Sequence, residues 1–430
     1  MHDIIIAGAG PAGLALASEL GKDFSVIVLE KGQAGTTTHS WYSFRDRIEA
    51  DNLQEAIVAT PSRVRFYMSE QSSVAYQDDN VVLDADKILK IFKDRVERLG
   101  CDVRSDVTVK DFSYIAQTDR NKGGVTVHTN NGDFSGCLLI DCTGATSPIV
   151  LKRGLQKDFR VWALYGVQAD APAPNPDSID FVKMPERFQL KSDTGNYMFG
   201  IYPKGPNKSD LYLFGYYDTI VDPLILKDMF ETSSAELYPN IIDNKKTELK
   251  GLIYGGELKK YALDRVFFYG EAGALTPPAI GMGFNEVLRT YKVVAAKIKE
   301  HVIKNDLGER ALRTILLEHR TSPSFTFLEV CQSYFFYGNT AKEYENGILI
   351  LKKAGDEFMR KWMRNELDGA MVKRGLEALF EVVSPHKFLN MMPFREWLPF
   401  LRKTSQIVEG SIVAKVAWYF HRMAKRRKKH

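Results

Sequence analysis

Cysteine is scarce in this chain: Cys101, Cys137, Cys142 and Cys331 are the only four in 430 residues. They form no C-x-x-C pair and no metal-ligand spacing. A disulfide framework and a zinc site are therefore not expected, and reduced, mostly buried thiols in a cytosolic protein are. No apolar run reaches the ~18 residues of a spanning helix. The first strand pattern begins at Asp3, which leaves no room for a leader peptide. The sequence has no Walker loop and no Ser-His-Asp spacing, so phosphoryl transfer and hydrolysis are not indicated. Internal repeats and low-complexity linkers are also missing.

Hydrophobic residues make up 44% and charged residues 26%, the balance of an ordinary globular protein. The net charge of +4 is unevenly spread. Residues 391–430 carry ten Lys and Arg against two acids, a net of +8, which leaves −4 for the remainder. Within that tail, aromatics are interleaved with cations around Trp397 and Trp418, and Lys425 to Lys429 close the run. Such a segment suits a membrane surface, with rings at headgroup depth and cations on anionic lipid. A solvated basic terminus is the plainer alternative, and nucleic acid is not the expected partner.

The N-terminus holds the clearest chemical signal. Asp3 to Ala7 is a buried-strand pattern that runs into Gly8-Ala9-Gly10-Pro11-Ala12-Gly13, and a second apolar run, Ser25 to Leu29, ends on Glu30. This is the strand–turn–helix–strand–acid order of a dinucleotide site. Gly8 makes the tight turn, Gly10 lets backbone approach a pyrophosphate, and Gly13 lets helix and strand pack closely. Pro11 suits the first helical turn. The helix N-terminus adds partial positive charge, and Glu30 is placed for a ribose hydroxyl.

Two further segments stand in register with the first. Cys137 to Asp141 is a short apolar strand of the parallel-sheet kind, followed by Thr143-Gly144. Val266 to Tyr269 is another strand, followed by Gly270-Glu271, then Pro278, then Gly281-Met282-Gly283-Phe284-Asn285 and a helix to about His301. In order and spacing, over about 1–300, the three segments resemble the FAD-dependent oxidoreductases of the para-hydroxybenzoate hydroxylase fold. That superfamily includes flavin monooxygenases, geranylgeranyl reductases, halogenases and lycopene cyclases. The resemblance implies FAD, with the first motif on its ADP half and the last on the ribityl chain and pyrimidine edge. It implies cofactor roles for Thr143, Gly144, Gly270 and Glu271, the last standing where an Asp is common, and for Gly281 to Asn285. Asp141-Cys142-Thr143-Gly144 looks like the cyclase and reductase version of the middle motif, although the paired glutamates of lycopene cyclases have no counterpart at Tyr212 to Asp218. No second G-x-G-x-x-G follows, which disfavours disulfide reductases with two dinucleotide sites.

From Phe159 to Glu257 the pattern changes to aromatic-rich, alternating segments of a mostly antiparallel sheet. The expected architecture is α/β: a Rossmann-type FAD domain at 1–158 and 258–300, an inserted β-sheet substrate domain at 159–257, and a helical region at 301–430 with the basic tail. Trp162, Tyr197, Phe199 and Tyr217 are the candidate substrate pocket for a hydrophobic molecule, whether isoprenoid, polyene or aromatic. Asp218 and Glu257, the acids nearest those strands, are candidate general acids. Arg45, on the loop carrying His39, is a candidate partner of the pyrophosphate. The expected protein is a cytoplasmic FAD enzyme, lycopene-cyclase-like, with a monooxygenase using NAD(P)H as the alternative. A membrane-docked flavoprotein without catalysis is the alternative of another class.

Overall fold

The computed structural model describes residues 1–391 except 38–39, 70, 117–122, 159, 189–195 and 338–339. His39 and the basic tail lie outside the described residues.

The first sheet grows from the N-terminal strand. His2–Ala7 pairs in parallel with Val26–Leu29 on one side and with Gly132–Asp141 on the other. Asp102–Arg104 and Val266–Phe268 extend it in parallel at either end. Alternation divides the side chains between two cores. Ile4, Ile6, Val28, Leu138 and Ile140 face the helices Pro11–Leu20, Ala85–Arg98 and Gly283–Lys304. Ile5, Ile27, Leu139 and Phe268 face a second core with Phe112, Val125 and Tyr254. Both faces are covered, which is why these strands read as unbroken apolar runs. Asp84 caps Ala85–Arg98 by accepting from the Lys87 N–H at 3.0 Å.

The second sheet has seven strands, in the order Lys245–Tyr254, Val161–Ala169, Ser209–Tyr217, Tyr197–Pro203, Ser178–Lys183, Arg63–Tyr67 and Ser73–Gln77. All pairs are antiparallel except Ser178–Lys183 with Arg63–Tyr67. Two of its strands thus come from the stretch that the sequence assigns to the cofactor unit, while Val266–Phe268 returns to the first sheet as expected. One face of this sheet is covered by Lys227–Leu237 and Pro239–Asp243 around Phe230 and Ile241. The other is covered by Ala341–Ala354 and Asp356–Arg364, which bring Ile348, Leu351, Trp362 and Met363 against Phe181 and Phe214, and Gly369–Val382 packs on Ala341–Ala354. Arg364 fastens this helical layer: its guanidinium donates to both oxygens of Asp78 at 2.7 and 2.9 Å and also reaches Asp46 at 2.9 Å. All four cysteines are free; Cys142 is buried and the other three are half-buried. No helix among the described residues is long and apolar enough to cross a membrane.

Candidate active site: a cleft and an apolar chamber

The three glycines of the first motif are held for different reasons. Gly8 has φ +98°, and a Cβ there would collide with the carbonyl of Cys142. A Cβ on Gly13 would overlap the carbonyl oxygen of Gly8, so the helix can pack this closely only without one. Around Gly10, by contrast, an added Cβ meets nothing within 4 Å, because the position opens on a cleft. The cleft encloses about 2540 Å³ including its open side. Its walls include Gly8 to Ala12, Glu30, Thr143, Gly144, Gly270, Glu271, Thr276, Gly283 and Phe284.

Side chains around the cleft are fixed by short hydrogen bonds. Glu30 accepts from the Ala9 N–H at 2.7 Å and from the Gly32 N–H at 3.0 Å, which holds the carboxylate at the rim. Asp141, fully buried, accepts from the Thr143 N–H at 3.0 Å, the Thr143 hydroxyl at 2.6 Å and the Ser147 hydroxyl at 2.6 Å. It thereby shapes the turn in which Gly144 takes φ +84°. Burial pushes the Glu271 carboxyl up to about 8, against a backbone hydrogen bond at Ala145 that lowers it. Part of the residue remains accessible from the cleft, but protein atoms enclose it on the other sides. The Thr276 hydroxyl is buried on the cleft wall without a hydrogen-bond partner. Trp41 stacks on Phe284 with centroids 4.5 Å apart and an interplanar angle of 11°.

These features fit FAD. An open backbone at a helix N-terminus suits a pyrophosphate, a rim carboxylate suits ribose hydroxyls, and an unpartnered buried hydroxyl awaits a polar ligand atom. Trp41 and Thr276 carry no signature in the sequence. Within the last motif only Gly283 and Phe284 line the cleft. Gly281 takes φ +67° in the turn and Met282 packs into the chamber-side core. The Asn285 amide is engaged elsewhere: it accepts from the Ser43 hydroxyl at 2.6 Å and donates to the Tyr42 carbonyl at 3.0 Å. It ties helix Gly283–Lys304 to strand Trp41–Phe44.

Arg45 does not line the cleft. It begins the helix Arg45–Ala50 and reaches Glu49 at 3.9 Å, an ordinary surface pair. Asp218 is exposed just past the end of Ser209–Tyr217. Glu257 pairs with Lys157 at 2.5 Å. Neither acid lines the cleft or the apolar chamber described next, so the sequence-based assignment of both as general acids is corrected.

The chamber lies between the second sheet and the C-terminal helices. Its empty volume, open side included, is about 730 Å³. Trp162, Phe181, Met198 and Phe214 form the sheet wall, and Tyr344, Ile348, Leu351, Trp362 and Met363 form the helical wall. Ala279 and Ile280, immediately before the Gly281–Phe284 turn, complete it beside Ile253. Of the four aromatics singled out in the sequence, Trp162 lines this chamber. Tyr197 and Phe199 do not: they share the opposite face with Phe230, and Phe199 packs on Tyr238 with centroids 5.3 Å apart. Tyr217 packs on that same face. Strand alternation decides this, since Met198 and Phe214, direct cross-strand partners, point the other way.

Residues 5–152 match the family described as pyridine nucleotide-disulphide oxidoreductase, a match confined to the first dinucleotide unit and its neighbourhood. No curated protein matches the chain in sequence. Among solved structures, a geranylgeranyl bacteriochlorophyll reductase-like protein from Thermoplasma acidophilum has a TM-score of 0.68 at 17% identity, covering 90% of this chain and 98% of its own. The halogenase PltM, solved with phloroglucinol and FAD, has a TM-score of 0.60 at 15% identity, covering 100% of this chain and 96% of its own. A flavin-dependent brominase has a TM-score of 0.63 at 16% identity, covering 88% of this chain and 99% of its own. At such identities the likeness speaks for the fold. The chain has the fold of the FAD-dependent oxidoreductases of the para-hydroxybenzoate hydroxylase type.

Proposed function

We propose that the chain binds FAD in the cleft and acts as an FAD-dependent oxidoreductase on an apolar small molecule held in the chamber. The observation that carries this reading is that one turn contributes to the walls of both spaces. Ala279 and Ile280 line the chamber, and Gly283 and Phe284, a few residues on, line the cleft. When bound, FAD supplies the electron transfer; the protein supplies binding, orientation and shielding. Gly10 and the N-terminus of Pro11–Leu20 would hold the pyrophosphate, and Glu30 the ribose. The N-terminus of Gly283–Lys304 would favour negative charge on the flavin edge. Trp162, Phe181 and Phe214 would orient the substrate, and the helical layer excludes water. Glu271 holds a proton on its carboxyl at neutral pH.

The described chamber wall carries no carboxyl group, which supports electron transfer over acid-driven cyclisation. A redox-neutral, lycopene-cyclase-like reaction is the second reading, because an aromatic wall stabilises cationic intermediates. The first test is the absorption spectrum of the protein reconstituted with FAD, then exposed to NADH or NADPH under air. Bleaching with oxygen uptake supports an oxygenase; flavin bands indifferent to nicotinamide, with an isomeric product, support the cyclase reading. Failure to take up FAD overturns both. Gly10→Ala sharpens the test: the open space predicts an intact fold, while the methyl group projecting into the cleft weakens FAD binding about tenfold or more. A membrane-surface role for the basic tail is a separate proposal, tested by sedimentation with anionic vesicles before and after removal of residues 392–430.

A further inference from the structure

A buried lysine lies just behind one end of the chamber wall. Lys183 closes the strand Ser178–Lys183 and shares a sheet face with Phe181, which lines the chamber. Its direct cross-strand neighbour is Met198, another wall residue. Lys183 is only 3% exposed, and its Nζ donates to a neutral group, Asn196 Oδ1, at 2.9 Å. That ammonium also lies 6.0 Å from the centroid of the Tyr344 ring. Tyr344 lines the chamber, is 6% exposed, and its hydroxyl has no hydrogen-bond partner. A buried cation thus stands beside a chamber residue whose hydroxyl has no hydrogen-bond partner. Such an arrangement is costly unless a ligand completes it. Burial pulls the lysine down to about 8, and the exposed Glu186 opposes that shift without outweighing it.

The lysine is far from the cofactor cleft. Ile253, beside Ala279 and Ile280, lies on the edge strand Lys245–Tyr254, and Ser178–Lys183 is four strands away. At about 4.8 Å per strand, that is roughly 19 Å. We propose that the substrate is an elongated amphipath: an apolar body along the Trp162–Phe214–Met198 wall, and one carboxylate head held by Lys183 and the Tyr344 hydroxyl. This rests on the chamber being the substrate site. The carboxylate accepts from both donors, and the opposite, apolar end is the one presented toward the cleft.

The test uses all-trans-retinoic acid and its methyl ester, an elongated polyene with and without the anionic head, in equilibrium dialysis against the FAD-reconstituted protein. The acid is expected to bind about tenfold or more tighter than the ester, as a charge-assisted contact implies. Lys183→Met is expected to erase that difference while leaving the ester's affinity within about twofold, and Lys183→Arg to retain it. Tyr344→Phe is expected to weaken the acid alone, by about threefold or more. Equal binding of acid and ester overturns the head-group assignment and leaves the chamber as a substrate site. Equal weakening of both ligands by Lys183→Met makes the lysine structural and also overturns it. If neither ligand binds, the substrate reading of the chamber falls and the head-group assignment with it.

Discussion

Glu271 offers the sharpest quantitative test of the cleft. Its carboxyl is displaced by burial from an ordinary 4.5 to about 8. Between those values the folded protein keeps a proton that the unfolded chain has lost, so stability falls as pH rises from 4.5 to 8 and levels off above. At about 1.4 kcal/mol per tenfold in proton affinity, the ceiling is ~5 kcal/mol. Water entering from the cleft reduces this, and a loss of about 2 kcal/mol is the expected size. Glu271→Gln keeps the shape and the hydrogen-bonding capacity but cannot ionise. Measured without FAD, the thermal midpoints of the two proteins should coincide near pH 4.5. By pH 8.5 the variant should lead by about 4 °C, at roughly 2 °C per kcal/mol for a chain of this size. Parallel curves across this range, or a wild type that gains on the variant as pH rises, would refute the burial argument.

Other outcomes follow from the two faces of the second sheet and from the displaced acids. Phe199→Ala should lower stability by about 3–5 kcal/mol in denaturant titration, yet leave polyene binding by the folded protein unchanged, because Phe199 is buried on the far face. Trp162→Leu should instead weaken polyene binding about fivefold or more by dialysis, since the indole forms chamber wall. Asp218→Asn and Glu257→Gln should leave turnover within about twofold. The first is an exposed residue and the second a surface ion pair. A tenfold loss in either variant would restore that acid as a candidate.

Much of the cleft's backbone geometry was legible because its demands act on single residues. Gly8 and Gly13 are required by backbone contacts that no side chain tolerates, and Glu30 ends its strand on the rim. The chamber was legible only as a tendency. Tyr197–Pro203 is buried throughout, with aromatics on both faces. An alternation of polar and apolar residues, the usual sign of which face is inside, is therefore missing. Without the register between strands, the sequence leaves open whether Tyr197 or Met198 shares the face of Trp162. The helical wall was further out of reach: Tyr344 and Trp362 sit on helices whose apolar faces are evident, but what such a face covers is settled by tertiary packing. Asn285 shows the opposite failure, a motif residue whose amide serves a neighbouring strand. Arg45 shows a simpler one, since proximity in sequence to a cleft strand did not bring it to the cleft.

The strand order also bears on how the chain is made. Gly132–Asp141 leaves the ribosome early, but its parallel partner Val266–Phe268 is among the later strands. Arg63–Tyr67 likewise waits for Ser178–Lys183. During synthesis two strand edges therefore stand unpaired over a long stretch of elongation, a state prone to wrong pairing. Pairings so distant in sequence are slow to form even in the finished chain. The nascent protein should lean on chaperones until the residues after Val266 emerge, and chains stopped short of that strand should aggregate rather than accumulate as a folded cofactor domain.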